Sequence, residues 1–132
     1  MTGYYVDIEI RTKENDYFRE VLFTGPLSQL VVMSLDPGED IGLETHLETD
    51  QFIRVEEGKG KAILDGQEYP LKNGTAIAIP AGTEHNIINT SPRDALKLYT
   101  IYTPPEHPHG TIHKTKADAE TYEDERYRLT SI

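Results

Sequence analysis

No cysteine occurs among the 132 residues. Disulfides, thiolate metal sites and cysteine nucleophiles are therefore excluded together, and any bound metal must be held by His, carboxylate or amide groups. Basic charge is also scarce: 13 Lys and Arg stand against 23 Asp and Glu, a net charge of −10. The basic residues are scattered singly, with no stripe to meet a nucleic-acid backbone and no cluster to grip a phosphate, so nucleic acid is not an expected partner. Long apolar runs are missing too. None could span a bilayer, and the opening Met1-Thr2-Gly3-Tyr4-Tyr5-Val6-Asp7 has neither the basic start nor the apolar stretch of a secretory signal. The expectation is a soluble, cytoplasmic protein with no membrane partner. A chain of this length makes one domain and buries roughly two thirds of its unfolded surface.

From Tyr4 to Tyr102 apolar residues come in short, often alternating runs broken by Gly, Pro, Asp and Asn, with no helical periodicity. The expected strands are Tyr4 to Ile10, Arg19 to Phe23, Gln29 to Leu35, Gln51 to Glu56, Lys61 to Leu64, Gln67 to Leu71, Ala76 to Ile79, Glu84 to Asn89 and Ala95 to Tyr102. Asp65-Gly66 is a strong hairpin signal, because both residues tolerate positive φ. So many short strands with turns between them argue for an all-β sandwich or barrel. Thr103, Pro104 and Pro105 stop the last strand, and a histidine-rich segment from Glu106 to His113 follows. Thr115-Lys116-Ala117-Asp118 then carries a capping signal for a helix from near Lys116 to about Arg128. Asp118 and Glu120 early and Arg126 and Arg128 late suit its dipole, and Asp118, Glu120, Glu123, Asp124 and Glu125 are expected on its wet face.

Two segments carry the chemistry. The first runs from Pro37 to Gly58, with Glu44 and His46 two apart, hence on one face of a strand, and Gln51 beyond them. The second runs from Gly74 to Asn89, where Pro80, Gly82 and His85 recur at fixed offsets and Gly82 permits a tight turn before His85. These segments resemble the two signature motifs of the cupin superfamily of small β-barrels. The second motif matches in full: Gly74, five residues, Pro80, one, Gly82, two, His85, three, Asn89. The first keeps its frame from Gly38 to Gly58, but Glu44 stands where the commonest pattern has its first histidine and Gln51 where it has glutamate. Fifteen residues, 59 to 73, separate the motifs, a spacing typical of small bacterial cupins. Phe18-Arg19, Thr24-Gly25 and Tyr99 to Tyr102 with Pro104-Pro105 look like a single-domain, phosphomannose-isomerase-like subgroup.

The resemblance implies a jelly-roll (double-stranded β-helix) barrel with a short C-terminal helix: one cupin domain over 1–132, its barrel core about 18–103 and its C-terminal loop and helix about 104–132. It implies Glu44, His46, Gln51 and His85 as ligands of a divalent metal, zinc first, with iron, manganese and nickel as alternatives. Strand alternation sets Ile53, Val55 and Ile87 on the same inward faces, an apolar wall that strengthens the electrostatics of such a site. It also implies a homodimer, for which Tyr4 to Ile10 is a candidate edge-covering strand.

His107, His109 and His113 are read as members of a solvated loop, with a role at the barrel mouth as the alternative. Tyr99 and Tyr102 are read as core or interface residues. The implied function is a metal-dependent enzyme acting on a small molecule, a sugar or sugar-phosphate isomerase or epimerase, since phosphomannose isomerases use two histidines, a glutamate and a glutamine. No residue identifies the catalytic base. The alternatives are an iron-dependent oxygenase, from the two-histidine, one-carboxylate set of His46, His85 and Glu44, and a non-catalytic barrel that holds a small ligand.

Overall fold

Alternation of buried and exposed residues sets the strand faces, most plainly along Asp50–Glu57, where Gln51, Ile53 and Val55 turn inward while Phe52 and Arg54 face out. In a computed structural model that describes residues 2–130, with side chains through Glu123, the chain forms α1 (Ile8–Glu14), β1 (Arg19–Thr24), β2 (Gln29–Leu35), β3 (Glu44–Thr45), β4 (Asp50–Glu57), β5 (Gly60–Leu64), β6 (Gln67–Leu71), β7 (Ala76–Ile79), β8 (Glu84–Asn89), β9 (Leu96–Thr103), β10 (Ile112–His113) and α2 (Lys116–Thr130). All described pairings are antiparallel. One sheet runs β10-β1-β2-β9-β4-β7 and the other β3-β8-β5-β6.

Between them lie Val31, Met33, Leu35, Ile53, Val55, Ile87, Leu96 and Leu98, all essentially inaccessible to solvent. Each such side chain contributes about 1.5–3 kcal/mol by leaving water. This is the expected jelly-roll barrel. Asp65 and Gly66 both take positive φ, +48° and +83°, and join β5 to β6 in a tight hairpin.

Asn89, the last residue of the second motif, is structural. Its buried amide nitrogen donates to the carbonyls of Leu35, Asp36 and Asp94, and its Oδ1 accepts from Ser91 N–H. One side chain thus ties together three chain segments.

The N-terminal segment departs from expectation: residues 8–14 are helical, and Tyr4 to Ile10 is not a strand. The alternation of Val6, Ile8 and Ile10 with charged residues imitates a strand period, but local and tertiary bonds decide otherwise. The Asp7 carboxylate caps the helix by accepting from Ile10 N–H, and Glu9 and Lys13 pair one turn apart. Lys97, buried on β9, donates to the carbonyls of Lys13 and Asn15 and to Asp16, anchoring the end of α1 on the barrel. Residues 4–10 therefore cannot cover a sheet edge as a strand.

At the other end Thr115 Oγ1 accepts from Asp118 N–H while the Asp118 carboxylate accepts from Thr115 N–H, a reciprocal cap that starts α2 as expected. The side chains of Asp124, Glu125, Arg126 and Arg128, assigned above to the wet face and the dipole, lie outside the described residues. No described helix is long and apolar enough to cross a membrane.

Candidate metal centre and ligand cavity

Glu44 and His85 sit directly opposite one another across the β3–β8 pairing, which brings the two motifs to one face of the smaller sheet. The stitching is dense. Gly82 N–H donates to the His46 carbonyl, and the Asn86 side chain donates to Asp40 and accepts from Gly42 N–H, fixing the loop that delivers Glu44. The His46 and His85 rings lie 5.3 Å apart, and His46 Nε2 is 3.3 Å from Glu44 Oε2. His85 donates from Nδ1 to the Thr83 carbonyl at 2.9 Å, so its Nε2 keeps a free lone pair.

Gln51 faces inward on β4 opposite Tyr102 of β9, whose ring meets the edge of His46. Its amide nitrogen donates to Thr100 Oγ1, while its Oε1 is buried without a partner. Three of the four expected ligands are therefore immediate neighbours, and Gln51 joins them through Tyr102. Among the described residues no three His, Asp or Glu side chains are arranged to hold a metal ion: Glu44 closes on His46 instead. The donor chemistry nonetheless fits a divalent ion, with an unpartnered amide oxygen, a lone-pair imidazole nitrogen and a carboxylate–imidazole pair.

The histidine-rich segment, read as a solvated loop, is not one at His107 or His113. Gln29, fully buried on β2, accepts from the backbone N–H groups of Glu106 and His107 and donates to the His107 carbonyl, pinning the segment across the barrel mouth. Glu106 thereby reaches 3.4 Å from His46 Nδ1 and also accepts from Thr49. His107 lies edge-on to Tyr102 with both ring nitrogens buried and unpartnered. His113 is buried beside Arg19, and only His109 is exposed, touching Thr24. Sequence spacing missed Glu106 and Arg19 and left His107 at the barrel mouth as the alternative reading, because Pro108 and Gly110 obscure the path of the loop and the Gln29 that pins it is far away in the chain.

These groups shift one another. The Glu106 contact raises His46 above the usual histidine value, against burial that lowers it, and in return His46 holds Glu106 below the usual carboxylate value. Burial raises Glu44, opposed by His46 and Arg19. Burial, aided by Arg19, pushes His107 down to about 3, so its imidazole is neutral. Tyr102 is raised by burial and stays a phenol, in keeping with its reading as a core residue.

A cavity of about 470 Å³ opens onto Glu44, His46, Glu106, His107 and Arg19. Its outer wall is α2, through Lys116, Ala119, Glu120 and Glu123, spaced to share one helix face. Asp40 tethers this helix by accepting from Lys116. Glu120 and Glu123 are exposed, as expected, yet also border the cavity.

The cupin domain model matches residues 31–102. YrkC, an uncharacterized protein of Bacillus subtilis, is 48% identical over 127 residues, covering 92% of this chain and 68% of that protein. The crystal structure of BH2720 from Bacillus halodurans superimposes with a TM-score of 0.88 at 48% identity, covering 91% of this chain and 95% of that one. Quercetin 2,3-dioxygenase of Bacillus subtilis is 38% identical over 78 residues, 59% of this chain but only 23% of that enzyme. The matched segment holds both motifs and every strand from β3 to β8, and on that evidence the chain belongs to the cupin family.

Proposed function

We propose that this cupin binds a divalent metal, zinc first, through Glu44, His46, Gln51 and His85, and isomerises or epimerises a small oxygen-rich molecule held in the adjoining cavity, as its phosphomannose-isomerase-like motifs suggest. The observation that carries the reading is the meeting of both motifs at Glu44, His46 and His85, of which Glu44 and His46 line the cavity. When bound, such an ion supplies Lewis-acid polarisation of ligand oxygens. The chain's own contribution is acid–base chemistry. Glu106 orients His46 through Nδ1, and neutral His107 offers one donor and one acceptor nitrogen at the mouth. Elemental analysis of protein purified without chelators, repeated on a His46→Ala/His85→Ala variant, tests the metal. One equivalent in the parent and loss in the variant are expected, whereas a metal-free parent that stays metal-free after zinc is added overturns the reading. An aldose–ketose assay with a sugar panel on zinc-loaded protein tests the reaction, and inactivity throughout counts against it.

A second reading is an iron-dependent oxygenase, favoured by the 38% identity to quercetin 2,3-dioxygenase over 78 residues and by the Glu44, His46, His85 set. Substrate-dependent oxygen uptake after anaerobic ferrous loading supports it. Equal turnover with zinc supports isomerisation.

A further inference from the structure

Apart from Thr12 Oγ1, the buried side-chain atoms left unpartnered among the described residues all belong to Arg19, Gln51 and His107. Such groups are costly inside a protein, by about 1–3 kcal/mol each and more when charged. Arg19 and His107 line the cavity while Gln51 does not, and a buried cation at that wall without a counter-charge points to an anionic occupant. Gln51 Oε1 is accounted for by the metal reading above; Arg19 Nε and the two His107 nitrogens are not.

Arg19 is the unusual member. It is 5% exposed and carries a full positive charge, yet no described carboxylate forms an ion pair with it. Its side-chain hydrogen bond runs from Nη1 to His113 Nδ1 at 3.2 Å. A guanidinium only donates, so His113 is the acceptor, and burial with Arg19 beside it lowers the His113 pKa and keeps it neutral. The Phe18 ring, 5.2 Å from the guanidinium carbon, adds a weak attraction. None of these contacts neutralises the charge. Glu44 feels Arg19 but lies too far away to pair with it. A buried cation left in this state is stable when something else supplies the anion.

We propose that the cavity is a carboxylate site in which Arg19 anchors the anion and His107 is the second donor, so that the small molecule taken by this cupin is an organic acid. The planar fork of one guanidinium matches a planar carboxylate. A phosphate dianion is disfavoured by the rest of the wall. Lys116, the other cation there, is engaged by Asp40 and Glu120, while Glu44, Glu106, Glu120 and Glu123 repel a second negative charge. The proposal deepens the functional reading by naming the ligand class, but it does not need the metal.

The test is an NMR titration of the Arg19 Nε–H signal, assigned by its loss in Arg19→Gln and Arg19→Lys. Three probes are added: pyruvate, its uncharged amide pyruvamide, and inorganic phosphate. Each is titrated into chelator-treated protein and into zinc-loaded protein. Expected is a saturable shift with pyruvate, little with pyruvamide, and weaker binding of phosphate. Arg19→Gln should weaken pyruvate binding roughly 10–100-fold, the worth of a charge-assisted bidentate contact, and Arg19→Lys should weaken it by less. The proposal is overturned by equal binding of pyruvate and pyruvamide, by tighter binding of phosphate, by unchanged pyruvate affinity in a folded Arg19 variant, or by no saturable shift in either protein state. If zinc fails to bind while the pyruvate shift persists, the metal reading falls and the carboxylate site stands. If zinc binds and pyruvate does not, the reverse holds.

Discussion

The Glu106 carboxylate lies 3.4 Å from Nδ1 of His46, whose Nε2 faces Glu44 at 3.3 Å, so one imidazole is held between carboxylates from two distant parts of the chain. A carboxylate on the far nitrogen of a ligating histidine fixes its tautomer and raises its basicity. Glu106→Gln is therefore expected to weaken zinc about 10–100-fold, as outer partners of metal ligands do. Competition against a chromophoric chelator reads it, and an unchanged affinity removes Glu106 from the site.

Gln51 separates a ligand from a packing residue. In Gln51→Leu the unpartnered buried oxygen disappears but Thr100 Oγ1 loses its donor, so the two effects offset and stability should change by no more than about 1 kcal/mol, while zinc affinity drops. Urea unfolding of the metal-free protein and zinc titration measure the two separately. A large loss of stability with normal zinc binding assigns the residue to the core instead.

Asn89→Ala should behave in the opposite way. Its two N–H groups, shared among three carbonyls, and one accepted bond hold the ends of β2, β8 and β9 together, and stranding buried carbonyls costs about 2–4 kcal/mol in total. A lowered urea midpoint is expected, with one equivalent of zinc still bound by the fraction that stays folded.

Asp40 links the cavity wall to acid stability. Hydrogen bonds from Lys116 and Asn86 hold its carboxyl below the ordinary value of 3.8. The folded form thus binds the proton less readily than the unfolded chain, and the pair's stabilisation is present above the unfolded pKa and fades as pH falls through the folded value. Because the pair is partly exposed, the effect should be about 1 kcal/mol or less. Asp40→Asn should lower stability at pH 7 by that amount, and the gap to the parent should shrink below about pH 4. Urea titrations across pH 3–7 decide it, and a constant gap refutes the assignment.

Most of the barrel was legible in the residues. Strands β1, β2 and β4 to β9 fall close to their expected positions because period-two burial and turn residues are local properties of the chain. Glu44, His46 and His85 were legible for a related reason. Fixed offsets from Gly38, Pro80 and Gly82 set their faces, and the β3–β8 register joins them. Residues 8–14 misled because apolar alternation outweighed a cap and an i, i+4 pair until Lys97 supplied its bonds from β9. The two-residue strands β3 and β10 are too short to carry a period at all.

The amino-acid sequence by itself determined that any metal site would be built from nitrogen and oxygen donors, and that the fold is a small barrel. These follow from side-chain chemistry and short-range spacing. Only the tertiary structure decided that Glu106 and His107 stand at the mouth, that Arg19 is buried without a counter-charge, and that α2 walls the cavity. Each depends on a bond across the fold, Gln29 to the 106–107 backbone, Arg19 to His113, Asp40 to Lys116, and no local pattern encodes which distant partner a buried polar group will meet.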